Sequence, residues 1–229
     1  GVNLATIAGT GAADIGLMGA SFSNQGDVAA NGAVLRIGGS FTSTTGTTGY
    51  TAFSNAGTIS DTGGTVLLDA DITTSGLGAF NDGSSSLALI GGTLDNAGAT
   101  LGAGSADFKG LIMTGGTIAG GVLDPAGVGI TFAGDTPYGG FDPVLDNVDV
   151  TGGLTIGTYA SLTIAGSTSI FASATSTAPG SIVVDHNGAI VFDQSLTPVL
   201  TNAVTLDGGA LDFSGALNSF GAEPSIAAT

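Results

Sequence analysis

A seven-residue pattern that returns almost intact constrains this chain most. Phe22-Ser23-Asn24-Gln25-Gly26-Asp27-Val28 reappears as Phe53-Ser54-Asn55-Ala56-Gly57-Thr58-Ile59, an offset of 31. A Gly-led apolar run follows each copy, Gly32-Ala33-Val34-Leu35 and then Gly64-Thr65-Val66-Leu67, an offset of 32. A looser Gly-Gly-x-apolar element stands at Gly38-Gly39, Gly63-Gly64, Gly91-Gly92, Gly115-Gly116, Gly152-Gly153 and Gly208-Gly209, at intervals of 25, 28, 24, 37 and 56, the last being twice 28. Leu145-Asp146-Asn147 and Leu200-Thr201-Asn202 lie 55 apart, again near two units. Self-similarity at 20 to 30 residues with drift between copies points to stacked repeats of one small unit.

The unit is β. Gly, Thr, Ser and Asn dominate, and each disfavours helix, through backbone entropy, β-branching or side-chain competition for backbone hydrogen bonds. Short apolar runs of about four residues end at Gly, Asp or Ser: Val34–Ile37, Thr65–Leu68, Leu87–Ile90, Leu154–Ile156, Leu162–Ile164, Ile182–Val184 and Ala189–Phe192. Strands this brief suit a coil of chain whose turns stack. The expected fold is all-β, a single right-handed parallel β-helix (β-solenoid) of roughly nine coils and some 40 Å length at about 4.8 Å per coil. Val, Leu, Ile and Phe then line its axis, Gly and Asn take left-handed corners, and Thr and Ser cover the outside. Residues 1–229 read as one module, a segment of a longer secreted protein, with an irregular insertion near 134–146. Its open ends call for neighbouring repeats of the same chain or identical chains end to end.

Composition removes other classes. Two Lys+Arg stand against 18 Asp+Glu, for a net charge of −16. Arg36 and Lys109, the two cations, cannot displace the phosphate counterions of a nucleic acid. Zero Cys excludes a disulfide framework and thiolate metal sites. No apolar run reaches the 20 or so residues of a membrane-spanning helix. The aromatic girdles of a membrane barrel are missing from a chain with 3 Tyr and no Trp.

The pattern apolar-x-Asn-x-Gly-x-apolar followed by Gly-x-apolar-x-apolar resembles the repeats of filamentous-haemagglutinin-like proteins and autotransporter passenger domains. It stands here as Phe53-Ser54-Asn55-Ala56-Gly57-Thr58-Ile59 leading to Gly64-Thr65-Val66-Leu67-Leu68, and as Leu94-Asp95-Asn96-Ala97-Gly98 leading to Thr100-Leu101-Gly102. The resemblance covers most of the chain and implies a secreted bacterial β-helix, an adhesin, surface fibre or stalk rather than an enzyme. Its partners would be carbohydrate or a host-surface protein.

Chemistry-bearing residues are few. His186, the single histidine, sits in Asp185-His186-Asn187-Gly188. It could pair with Asp185 for proton transfer, but Asn-Gly between two strands reads first as a turn. Asp69 and Asp71 share one side of a strand, and Asp142, Asp146 and Asp149 cluster less regularly. Such pairs would serve a β-helical polysaccharide hydrolase if they flanked a bond. The Asn-Thr-Asp, paired-Asp and Gly-His-Gly motifs of that hydrolase family are missing, and two cations cannot line a lyase groove for acidic sugars. No cofactor is implied. Calcium is the ion that Asp142, Asp146, Asn147 and Asp149 would suit, although neither the nonapeptide calcium repeat nor EF-hand spacing occurs. The Thr/Ser-rich stretches 42–48 and 167–177 read as loops bulging from the coil. The most irregular segment, Pro137 to Pro143, offers Tyr138 and Phe141 as ligand contacts.

Overall fold

A computed structural model describes residues 1–42, 48–81, 86–133, 142–193 and 202–212. The protein is all-β and built on long parallel sheets, an arrangement consistent with a β-solenoid. Every run expected to be a strand is one, among them Val34–Gly38, Ser86–Gly91, Leu154–Ile156 and Ala189–Phe192.

The longest path of paired strands runs through ten of them among the described residues, from Val2–Asn3 to Ala210–Asp212. Each pass of the chain through this path is a rung. A second face carries Asp14–Leu17, Val34–Gly38, Ser86–Gly91, Ile112–Met113 and Thr131–Phe132, and later Leu154–Ile156, Ser181–Val184 and Ala203–Leu206. A third carries Thr6–Thr10, Asp27–Asn31, Thr58–Thr62 and Ala79–Asn81, and later four strands from Thr100–Leu101 to Ser169–Phe171. One strand is longer than expected. Thr65–Thr73 spans nine residues because it runs round a corner: Thr65 to Asp69 pairs with Val34–Gly38, and Ala70 and Asp71 pair with Thr51 and Ala52.

Side-chain alternation explains the core. Ile72, Leu94, Ile118, Leu145, Ile164 and Phe192 are successive register partners, each buried. Burying one such side chain contributes about 1.5–3 kcal/mol, and the next rung supplies most of its contacts, so neighbouring rungs stabilise one another. The outward partners on this face include Thr93, Thr117 and Thr163, as expected for a solvated β surface. The second face departs from that expectation. Leu67, Ala88 and Ile90 form a separate buried cluster with Val34 and Ile112. Leu67 is the register partner of both Arg36 and Ala88, and so lies in an outward column.

Rung lengths vary because excursions leave the stacked strands. The 31-residue step from Phe22 to its register partner Phe53 contains a hairpin, Ser40–Thr42 running antiparallel to the start of Thr48–Asn55. Of the Thr-rich stretch 42–48, Thr42 and Thr48 are paired strand residues of this hairpin, and residues 43–47 lie outside the described set. The second stretch divides: Ser169–Phe171 is a strand, and the chain beyond it is closed by a Phe171–Pro179 bridge. The Gly-Gly intervals are corrected too. Thr93 and Thr117 are true equivalents, and the next partner is Val144, whereas Gly152-Gly153 leads into another face. The interval of 37 thus joins two different corners. Leu200 and Thr201 lie outside the described residues. The apolar runs after the seven-residue motif likewise align at 31, not 32, with Val34 opposite Thr65 and Leu35 opposite Val66. A one-residue slip would have turned each side chain to the wrong side of the sheet.

Candidate functional site

The repeated Asn-x-Gly motif builds one corner. Asn24 and Asn55 do not take the left-handed conformation expected for them; the non-Gly residues that do, among those described, are Asn147, Tyr159 and Asn187. Asn3, Asn24 and Asn55 are instead buried and stacked rung on rung. Asn3 Nδ2 donates to Asn24 Oδ1 at 2.7 Å, Asn24 Nδ2 to Asn55 Oδ1 at 2.8 Å, and Asn55 Nδ2 to the Leu77 carbonyl at 2.7 Å. On the next rungs the Thr74 hydroxyl donates to Asn96 Oδ1 at 2.9 Å, and Asn96 Nδ2 donates to the Val122 carbonyl at 3.0 Å. The motif's glycine has a separate cause. A Cβ on Gly26 would lie 2.1 Å from the Ala5 carbonyl oxygen, and one on Gly57 2.0 Å from that of Gly26. Backbones of adjoining rungs touch there, leaving no room for a side chain.

Beside this corner is a shallow open depression of about 360 Å³ lined by Thr73, Thr74, Ser75, Asp95, Ala97 and Ala99. The Thr73 and Ser75 hydroxyls are 3.3 Å apart, and Asp95 Oδ1 accepts from the Ala97 N–H at 3.0 Å. Asp95 is the one acid in the lining. Two-carboxylate hydrolysis needs a second across the bond, so this hollow offers hydrogen bonding.

The carboxylates singled out from the sequence are tied into structure. Asp69 and Asp71 both lie on the outer side of Thr65–Thr73, as their spacing requires, but the strand turns its corner there. Asp69 is buried and pairs with Arg36 at 3.1 Å, while Asp71 Oδ1 accepts from the Thr93 N–H at 3.0 Å. Asp146 Oδ1 accepts from Asn147 Nδ2 at 2.9 Å, and Asn147 Oδ1 is held by the N–H and hydroxyl of Ser167. Asp142 and Asp149 are exposed. Among the described residues no group of three or more His, Cys, Asp and Glu is placed to hold a metal ion. Asp61, fully buried, went unremarked in the sequence; its carboxylate lies against Gly64, where a Cβ would be 2.6 Å from Oδ1.

His186 stands in a turn between Ser181–Val184 and Ala189–Phe192, closed by the Gly188 N–H donating to the Asp185 carbonyl at 2.8 Å. Asn187 takes the left-handed position, with φ 57°. Tyr138 and Phe141 lie outside the described residues, as does 134–141 of the expected insertion; beyond it, Val144–Asp146 is an ordinary strand of the long path. Among the described residues no helix is long and apolar enough to cross a membrane.

No family model, curated protein or solved structure matches the chain.

Proposed function

We propose that this chain is a structural and adhesive module of a bacterial surface or secreted fibre protein, extracellular and without catalysis, of the filamentous-haemagglutinin-like or autotransporter-passenger kind. In this reading it is a single right-handed parallel β-helix, with nine turns of chain joining the ten strands of the long path. Parallel connections within one sheet are right-handed in about 98% of cases, which supports the hand. The observation that carries the reading is the parallel register pairing of successive strands along the long path, from Val2–Asn3 to Ala210–Asp212. At about 4.8 Å per rung it gives a rod some 40 Å long. Such a rod spaces, stiffens and presents. The ties that hold Asp69, Asp71, Asp95 and Asp146 support a scaffold over a polysaccharide-active enzyme. No cofactor enters this reading.

Small-angle scattering of the chain, with reducing-end assays on neutral and acidic polysaccharides, tests it. The expected result is an elongated particle and no release of reducing ends. A compact particle, or steady release of sugar, overturns it.

The one-sided strands of the first rung call for a neighbour, either a preceding repeat of a longer chain or, in a second reading, another copy of this one in a self-assembling filament. Val2 and Leu4 on the first rung are 60% and 74% exposed, and Val2–Asn3, Thr6–Thr10 and Asp14–Leu17 each pair on one side only among the described residues. Concentration-dependent sedimentation that Leu4→Lys suppresses would support the second reading.

A further inference from the structure

We propose that the corner bearing Tyr159 is a stacking site for a neutral carbohydrate. The inference deepens the adhesive reading and rests on it.

Three rungs place a left-handed residue at the same corner. Leu154–Ile156 pairs with Ser181–Val184, and that strand with Ala203–Leu206. The turns leading out of them put Tyr159 (φ 59°), Asn187 (φ 57°) and Gly208 (φ 73°) one above another. The Tyr159 N–H donates to the His186 carbonyl at 3.3 Å, and the Asn187 N–H to that of Gly208 at 3.0 Å. Gly adopts this conformation without strain and Asn tolerates it, whereas a bulky aromatic there is a genuine outlier. Its ring does not repay the strain by packing, because Tyr159 is 68% exposed. A strained, solvent-facing aromatic held on a rigid scaffold is a reason to look for function.

The surroundings define the ligand. Thr158, His186 and Asn187 are exposed beside it, supplying hydroxyl, imidazole and amide groups that donate and accept hydrogen bonds. Among the described residues the other exposed large apolar side chain near this corner is Leu206, which continues the buried column of Ile156 and Val184 rather than the outward surface of Tyr159. The corner thus presents a single aromatic and not the clustered apolar centre of a protein–protein hot spot. A flat ring ringed by small polar groups fits the C–H face of a sugar with its hydroxyls turned outward. Charge selects among sugars: at −16 the chain repels anionic glycans, and Arg36 is committed to Asp69 on another face.

Affinity electrophoresis of the 229-residue chain tests this in gels containing hydroxyethylcellulose, soluble mixed-linkage β-glucan, glycogen or polygalacturonate, with pull-down on cellulose and chitin. At least one neutral polysaccharide is expected to retard or capture the protein. Tyr159→Phe keeps that affinity within about threefold and Tyr159→Gly lowers it at least tenfold, while Tyr159→Gly melts no lower than wild type because the left-handed strain is gone. Polygalacturonate gives no retardation. Failure of every neutral polysaccharide, equal binding by Tyr159→Gly, or equal binding to polygalacturonate overturns the proposal. Those outcomes leave the rod seen by scattering untouched, whereas release of reducing ends would sink the non-catalytic reading and leave the stacking site in place.

Discussion

Two corners of the stacked rungs, one early and one late in the chain, are closed by different physics. Where the chain leaves the long path in the early rungs, the turn is filled with buried amides: Asn3, Asn24 and Asn55 satisfy one another from rung to rung, and Gly26 and Gly57 let the backbones touch. Where it enters that path in the late rungs, the turn stands in solvent and rests on backbone conformation, with Tyr159, Asn187 and Gly208 sharing one left-handed geometry and no common side chain. The first corner is specified by what its side chains bond. The second requires only a backbone that reaches positive φ, and so leaves its side chains open to other uses.

Substitutions should therefore hurt at one corner and pass at the other. The largest effect is expected for Gly57→Ala, whose new Cβ would sit 2.0 Å from the Gly26 carbonyl oxygen. A backbone shift of that kind costs about 4 kcal/mol, read in urea denaturation by circular dichroism and as lost hydrogen-exchange protection confined to the early rungs. A loss below about 1 kcal/mol would show that the rungs do not approach so closely. Asn24→Ala comes next. It removes both amide–amide bonds of the stack and strands buried partners on each side, for about 3 kcal/mol. Asn3→Ala, at the edge, should cost about a third of that. At the other corner Asn187→Ala should cost about 1 kcal/mol, the penalty of a Cβ in the left-handed region without asparagine's tolerance for it. Asn187→Gly should change stability by less than about 0.5 kcal/mol. Equal damage from Asn187→Gly and Asn24→Ala would erase the distinction between the corners.

What the residues disclosed in advance follows the same division. Apolar runs ending at Gly, Asp or Ser mark strands wherever each strand needs one buried side, and the 31-residue repeat marks true register because Phe22 and Phe53 stack directly, ring centroids 6.2 Å apart. Asparagine near glycine misled because it serves two structures, a left-handed turn where Asn187 directly precedes Gly188 and a buried amide stack where one residue separates Asn24 from Gly26 and Asn55 from Gly57. The stack forms only through the neighbouring rungs, so neither spacing discloses it alone. The Arg36–Asp69 pair was hidden for a related reason: partners 33 residues apart meet only once the register sets Gly38 opposite Asp69. Tyr159 left no trace at all. Nothing in Gly157-Thr158-Tyr159-Ala160 marks a residue with positive φ, because there the geometry comes from the turns of the adjoining rungs.

A paired-cysteine experiment reaches the foundation directly, since the chain has no cysteine of its own. Ser23 and Ser54 are register partners on the outer side of adjacent rungs. Parallel neighbours stand about 4.8 Å apart, inside the range a disulfide spans, whereas a displacement of two residues exceeds its limit of about 7 Å. Under mild oxidation Ser23→Cys with Ser54→Cys should close a bridge within one chain, and Ser21→Cys with Ser54→Cys should stay reduced. Equal bridging by both pairs, or bridging by the second alone, would contradict parallel in-register stacking and every corner built on it.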